Sequence, residues 1–315
     1  MEIAKDSMPT CTRSLLRFVL FLVPPALQAS SLFTYDHIVV VMEENKGYSQ
    51  IIGNASAPYI NALAAGGALF TNSFGITHPS QPNYLEFFSG SNQGVTTNTT
   101  PSGTFSTANL GSQLLAAGYT FNGYSESLPS SSFNGDNAGG ADGYWRKHNP
   151  WINFSNVPQA SNHPFTDFPS DFSTLATVSI VVPNQGNDMH NGTPATGDSW
   201  LAGNLGAYAT WALSNNSLLI VTFDEDDGSE GNRIVTIFYG AGIVPGTYSQ
   251  LITHHNVLRT IEDLYGLPYA GGAASASPIT SVFAETPEPG SALLITVGLF
   301  GMVAIRHRSR VSSKS

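Results

Sequence analysis

The sequence predicts an α/β domain built on a mostly parallel sheet with helices on its faces. Three observations predict it. Apolar runs of strand length recur along the chain, segments with helical spacing fall between them, and polar clusters follow three of the runs directly. A run that is apolar at consecutive positions describes a strand buried on both faces, as in a parallel sheet under helices.

The first strand is expected over 37–42, HIVVVM. Helical spacing follows over 59–65. Further strands are expected over 178–182, 218–223 and 233–238. A helix is expected over 256–265, with Val257, Leu258, Ile261 and Leu264 on one face. The stretch 91–169 is rich in Ser, Gly, Asn and Pro and reads as loops around a site. No internal repeat is found. One domain is expected from about 32 to 283, and its 41% hydrophobic residues suffice for a sizeable core in a chain of 315.

The two ends carry other information. Residues 1–29 combine Lys5, Arg13 and Arg17 with an apolar run and a small-residue site, the layout of a secretory signal cleaved after Ala29. Glu2 and Asp6 are atypical of such a region, which makes Met8 an alternative start. The single cysteine, Cys11, lies within the signal, so the exported chain would hold neither thiol nor disulfide. A cysteine nucleophile is thereby excluded. At the other end, Pro287-Glu288-Pro289 precedes an apolar stretch over 292–305, which is short for a full span, and then Arg306, Arg308 and Arg310. This segment, 284–310, resembles the PEP-CTERM sorting signal of bacteria. The resemblance implies processing by an exosortase-type enzyme, membrane contact only through that segment, and residence at the cell envelope or outside the cell.

Between the ends, residues 31–289 hold five Lys and Arg against 20 Asp and Glu, a net of −15. Such a surface repels nucleic acid. Many of the acids sit just after strands, where open α/β sheets bind ligands. Glu43-Glu44-Asn45 follows the first strand, 184–190 the second, and Asp224-Glu225-Asp226-Asp227 the third. Carboxylate and amide oxygens suit divalent cations, and adjacent acids repel one another without one. A solvated loop or a helix cap is the alternative reading of each cluster alone. The same holds for Asp188 and His190, with Asp198 eight residues beyond His190, and for His254-His255. Ser80 stands between Pro79 and Pro82. A serine becomes a nucleophile only when a base or a metal activates it, and a structural turn is the alternative.

The ordered series DHIVVVMEEN, PYINALAAGGALFTNSF and HPSQPNYL resembles the start of an alkaline-phosphatase-like phosphoesterase. YSESLP, YWRKHNPWINF, PNQGNDMHNG, GDSWL, FDEDDG and HHNVLRTIEDLYGL resemble the acid phosphatase and phospholipase C group of that superfamily. The resemblance spans 36–267. It implies a three-layer alkaline-phosphatase-like fold and a divalent metal whose identity the sequence leaves open. It implies metal contacts from Glu44, Asn45, Ser80, Asp188, His190, Asp224, Glu225 and His254. Ser80 would be the nucleophile and His190 a proton donor, with Lys147 and His148 also in catalysis. Asn83, Lys147, His148 and Asn149 would meet the phosphate. Glu43, Asp226, Asp227 and His255 are left as neighbours, and His78 and Glu126 are not assigned.

The activity so implied is hydrolysis of phosphate esters by an acid-phosphatase-like enzyme. A phospholipase C-type phosphodiesterase and a non-catalytic envelope protein are the alternatives. A sulfatase needs a Cys or Ser oxidised to an aldehyde within (C/S)xPxR, and here Tyr84 follows Ser80-Gln81-Pro82-Asn83 where that motif has Arg.

Overall fold

The computed structural model describes residues 34–284. The expected export signal with Cys11, and the sorting segment beyond Ala284, lie outside the described residues. The chain runs β1 (His37–Glu43), α1 (Tyr48–Ile51), α2 (Pro58–Gly66), β2 (Ala68–Phe74), α3 (Ser80–Ser89), α4 (Leu110–Ala116) and β3 (Phe121–Ser125). It continues through β4 (Asn137–Ala138), β5 (Tyr144–Trp145), β6 (Asn162–Pro164), β7 (Val178–Val182), α5 (Pro194–Ala212), β8 (Ser217–Phe223), β9 (Arg233–Gly240), β10 (Gly246–Thr253) and α6 (His254–Leu264).

Eight strands form one sheet in the order β10-β2-β9-β8-β1-β7-β3-β6. β9 is antiparallel to both its neighbours, and the other pairs are parallel. Alternate side chains of β1 enter two cores. Ile38, Val40 and Met42 join Tyr84, Phe87 and Phe88 of α3 and Val257, Leu258 and Ile261 of α6. Val39 and Val41 join Ile60 and Leu63 of α2 and Leu201, Leu205 and Tyr208 of α5. Helices therefore cover both faces, which is why β1 reads as a continuous apolar run.

All four expected strands form. The segment 91–169 departs from its reading as loops, because it supplies α4 and two strands of the main sheet, β3 and β6. β3 (FNGYS) lacks an apolar run for a physical reason. The Trp151 ring packs against the backbone of Gly123, so that a Cβ there would fall 2.1 Å from Trp151 Cε2. The strand gives up a side chain to seat a ring, and Trp151 Nε1 donates to Asn162 Oδ1 at 2.8 Å on β6.

One buried carboxyl gives the fold a pH signature. Glu262 of α6 is fully buried, accepts from Ala270 N at 2.8 Å through Oε1, and has no partner at Oε2. Burial pushes its pKa from 4.5 up to about 8. The folded chain then holds a proton that the unfolded chain releases, so the stability contributed by this group is fully present below 4.5 and is lost as pH rises through about 8. Glu262→Gln keeps the acceptor and removes the titration. Its melting temperature is expected to exceed that of the parent increasingly across that window. A parallel pH dependence of the two proteins in thermal melts would refute this.

Candidate active site

β8, β1 and β7 are adjacent and parallel, so the segments that follow them emerge side by side. Backbone bonds tie these ends together. Glu44 N donates to Asp188 O at 2.7 Å, Asp224 N donates to Glu43 O at 3.0 Å, and Asn45 N donates to Asp224 Oδ1 at 3.2 Å. The three polar clusters of the sequence thus converge at one edge of the sheet.

Two residues there adopt left-handed backbone, Asn45 at φ 45° and Met189 at φ 79°. Asn tolerates this region; a methionine enters it only where packing compels it. The buried Met189 side chain lies against the backbone of Gly197 in α5, where a Cβ would be 2.5 Å from Met189 Cγ and 2.8 Å from Asn187 O. Gly197→Ala is therefore expected to push the Asp188–His190 loop away and to cost about 1–3 kcal/mol. Urea titration checks the stability loss, and an unchanged midpoint would contradict it.

Ser80 opens α3, at the positive end of the helix dipole. Its Oγ lies 3.0 Å from Glu44 Oε2, 3.1 Å from Glu225 Oε1 and 3.5 Å from Asn45 Oδ1. A hydroxyl carries one proton, so it can satisfy only one of these three acceptors. On the other side of Glu44, His148 Nε2 approaches Oε1 to 3.0 Å, and His148 Nδ1 stands 3.5 Å from Asp188 Oδ2. Burial holds His148 below its ordinary pKa against the pull of Glu44. A neutral imidazole has one N–H, yet a carboxylate oxygen stands near each of its nitrogens.

The unmet demand is visible atom by atom. Glu44 Oε1 and His148 Nε2 face each other at 3.0 Å without hydrogen-bond geometry, and Asp188 Oδ2 and Asp224 Oδ2 are buried without a hydrogen-bond partner. The ligand atoms of Glu44, His148 and Asp188 lie within 4.8 Å of one another. Burial and then the Glu44 charge drive Asp188 and Asp224 above the carboxylate range and Glu225 up to about 8. Burial works the same way on Glu44, but the His148 imidazole, a hydrogen bond from His190 and the Lys147 charge outweigh it and hold Glu44 low. Too many acceptors facing one point fit a divalent cation, and the mixed oxygen and nitrogen donors suit zinc, iron or manganese. The residues present thus fit the metal that the resemblance implied.

The other expected site residues divide. His190 is held by its backbone N–H, which donates to Asp188 Oδ1 at 2.7 Å, and by Nδ1 against Glu44 Oε2 at 3.2 Å. Lys147 is buried beside His148, and its charge reaches Glu44, Asp188 and Glu225. His254 opens α6 with Nε2 2.7 Å from Asp224 O, and burial lowers its pKa to about 4, so it is a neutral ring fixed behind the Asp224 backbone. Asn83 is committed to the turn before Ser80. Its Oδ1 accepts from Ile76 N and Thr77 N, both at 3.0 Å, and its Nδ2 donates to Glu225 Oε2 at 3.2 Å. Asn149 is not brought to the cluster, because its amide is engaged by Ser125, Tyr144 and Asn162. Asp198 caps α2 through Tyr59 N and Ile60 N, and Glu126 holds Asn184 and Asn187.

His148 was expected at the phosphate rather than among the metal-binding groups, and Tyr84 was not expected at all. Tyr84 stacks on His148 with ring centroids 5.0 Å apart. Its spacing of four residues from Ser80, one helical turn, was the available signal. His78, 46% exposed, bridges Glu225 Oε2 at 2.9 Å and Asp226 Oδ1 at 3.2 Å. It stands at the rim of a cleft of about 370 Å³ lined also by Asn45, Lys46, His190 and Glu225.

Residues 54–268 match the model of the Phosphoesterase family. The chain belongs to that family. It is accordingly a hydrolase of phosphoric ester bonds, as its relatives' names state. It is 53% identical over 261 residues to a phosphatidylinositol-3-phosphatase of Mycobacterium tuberculosis, covering 82% of this chain and 86% of that one. An acid phosphatase of Aspergillus fumigatus is 30% identical over 66% of this chain, which spans 51% of that enzyme. The phosphoesterase shares its fold with a protein of the alkaline phosphatase superfamily from Vibrio parahaemolyticus, at TM-score 0.53, 12% identity and coverage of 78% of this chain and 71% of that one. A 2-O GAG sulfatase gives TM-score 0.54 at 12% identity over 78% and 73% of the two chains. Residues 285–309 match the PEP-CTERM protein-sorting motif, which marks an exported protein sorted to the cell envelope. Among the described residues no helix is long and apolar enough to cross a membrane.

Proposed function

We propose that the protein is a metal-dependent phosphomonoesterase of the cell envelope, with a three-layer alkaline-phosphatase-like domain over 32–283, an export signal over 1–29 and Ser80 as nucleophile. The observation that carries this reading is the crowding of Ser80 Oγ by Glu44, Asn45 and Glu225 beside Glu44 Oε1, His148 Nε2 and Asp188 Oδ2, which are buried without a hydrogen bond on side chains able to meet at one ion. Glu44, His148 and Asp188 would hold the cation, with Asn45, Asp224, Glu225 and Ser80 around it. When bound, it supplies positive charge that lowers the serine pKa and offsets charge on the phosphoryl oxygens.

The chain's own groups do the rest. Ser80 Oγ attacks phosphorus as its proton passes to a neighbouring carboxylate, the leaving oxygen departs, and water then releases phosphate from the phosphoserine. The N-terminus of α3 and the Lys147 ammonium attract the phosphoryl oxygens. His190, on the wall of the cleft, is placed to give a proton to the leaving oxygen. Asn83 and Tyr84 hold Glu225 and His148 in position.

The names of the relatives favour a monoester over a diester, and the mycobacterial name makes a phosphorylated inositol lipid the first natural substrate to try. A non-catalytic envelope protein has no physical reason to keep so many unpartnered buried groups together. The test compares p-nitrophenyl phosphate with bis(p-nitrophenyl) phosphate. Faster release from the monoester supports the proposal, and preference for the diester would replace it with the phospholipase C-type reading.

A further inference from the structure

Lys46 follows Asn45 directly, and the left-handed turn at Asn45 sends the chain along the wall of the cleft. The Lys46 ammonium donates to Met189 O at 2.7 Å and to Asn45 O at 3.2 Å, so it is fixed rather than free to sweep through solvent. Two of its three N–H groups are thereby used. Among the described residues no carboxylate lies within ion-pair distance of it, although the exported region has 20 acids for five bases. The acids that share the cleft make their hydrogen bonds elsewhere, and Asp227 acts on Lys46 only through space. Asp226 accepts from Gly228 N, Glu230 N and Asn232 N, Asp227 from Ser229 and Gln50, and Glu225 from Ser80, Asn83 and His78. Lys46 is the one lysine or arginine among the described residues that line this cleft.

We propose that Lys46 is a specificity residue that binds a second anionic group on the leaving side of the substrate, so that the enzyme prefers phosphomonoesters whose leaving group itself bears a phosphate or phosphodiester. This rests on the phosphomonoesterase reading above. A cleft walled by acids repels such a group, and a positioned ammonium with a spare N–H is what offsets that repulsion. Reaction at Ser80 needs no second anion, so the contact acts on selection between substrates. Two sources carry this chemistry, a sugar bisphosphate and an inositol phospholipid.

The experiment measures kcat/KM for fructose monophosphate, fructose bisphosphate and a short-chain phosphatidylinositol monophosphate, on the parent enzyme, Lys46→Gln and Lys46→Arg. The parent is expected to favour at least one doubly anionic ester over the monophosphate by roughly tenfold or more, the size of one charge-assisted contact. Lys46→Gln is expected to bring that ratio close to one through a rise in KM, and Lys46→Arg to keep most of it. Preference for the lipid alone or the sugar alone identifies the source. A parent enzyme without the preference, or an equal loss on all esters in Lys46→Gln, overturns the inference. Absence of turnover on every ester and on p-nitrophenyl phosphate overturns the phosphomonoesterase reading and this inference with it.

Discussion

Ser80→Ala is expected to lower kcat on p-nitrophenyl phosphate by about a thousandfold or more, the scale on which removal of a nucleophile acts. Its fold should survive. Ser80 Oγ satisfies one of three acceptors, and the alanine leaves the α3 backbone and the neighbouring Asn83 contacts in place. Removal of the hydroxyl gives up one hydrogen bond to these carboxylates, so the melting temperature is expected to change little. Loss of rate without loss of stability separates a chemical role from a structural one. A Ser80→Ala enzyme within tenfold of the parent would remove Ser80 from the chemistry.

Chelation of the proposed divalent cation is expected to have the second large effect, on activity and stability together. Glu44 faces three side chains of the site, His148 through Oε1 and Ser80 and His190 through Oε2. A cation bound to the folded state alone stabilises it by about 2.7 kcal/mol at a concentration a hundred times its Kd. Chelation should therefore lower the melting temperature and abolish turnover, and restored cation should reverse both. Glu44→Gln keeps the volume but removes the charge, so it should reduce bound metal, as measured by elemental analysis, along with the rate. Full turnover in protein stripped of metal would refute the metal-dependent reading.

The strands that carry the site were legible because burial on both faces makes their sequences continuous and apolar, as in β1, β7 and β8. β3 was not, since Gly123 is dictated by the distant Trp151 ring. β10 was not either, because it is an edge strand with exposed residues such as Leu251. α5 contains Gly197, Gly203 and Gly206, which dilute helical spacing; only Gly197 is explained, by its contact with Met189. At the site, the order of polar clusters along the chain foretold convergence, because adjacent parallel strands end together. Individual contacts did not follow from that order. Lys147, His148 and Asn149 are consecutive, yet His148 meets Glu44 and Asp188 while Asn149 turns toward Ser125, Tyr144 and Asn162. A short 3₁₀ turn over Arg146–His148 sets those directions, and no sequence period describes it.

Phosphoryl transfer through Ser80 would leave a phosphoserine during turnover. Acid quenching during turnover of p-nitrophenyl phosphate, followed by peptide mapping by mass spectrometry, tests it most directly. A single phosphoryl group on the peptide containing Ser80, absent in chelated enzyme, is the predicted result. A phosphoryl group on another side chain, or none at any quench time while product accumulates, would contradict it.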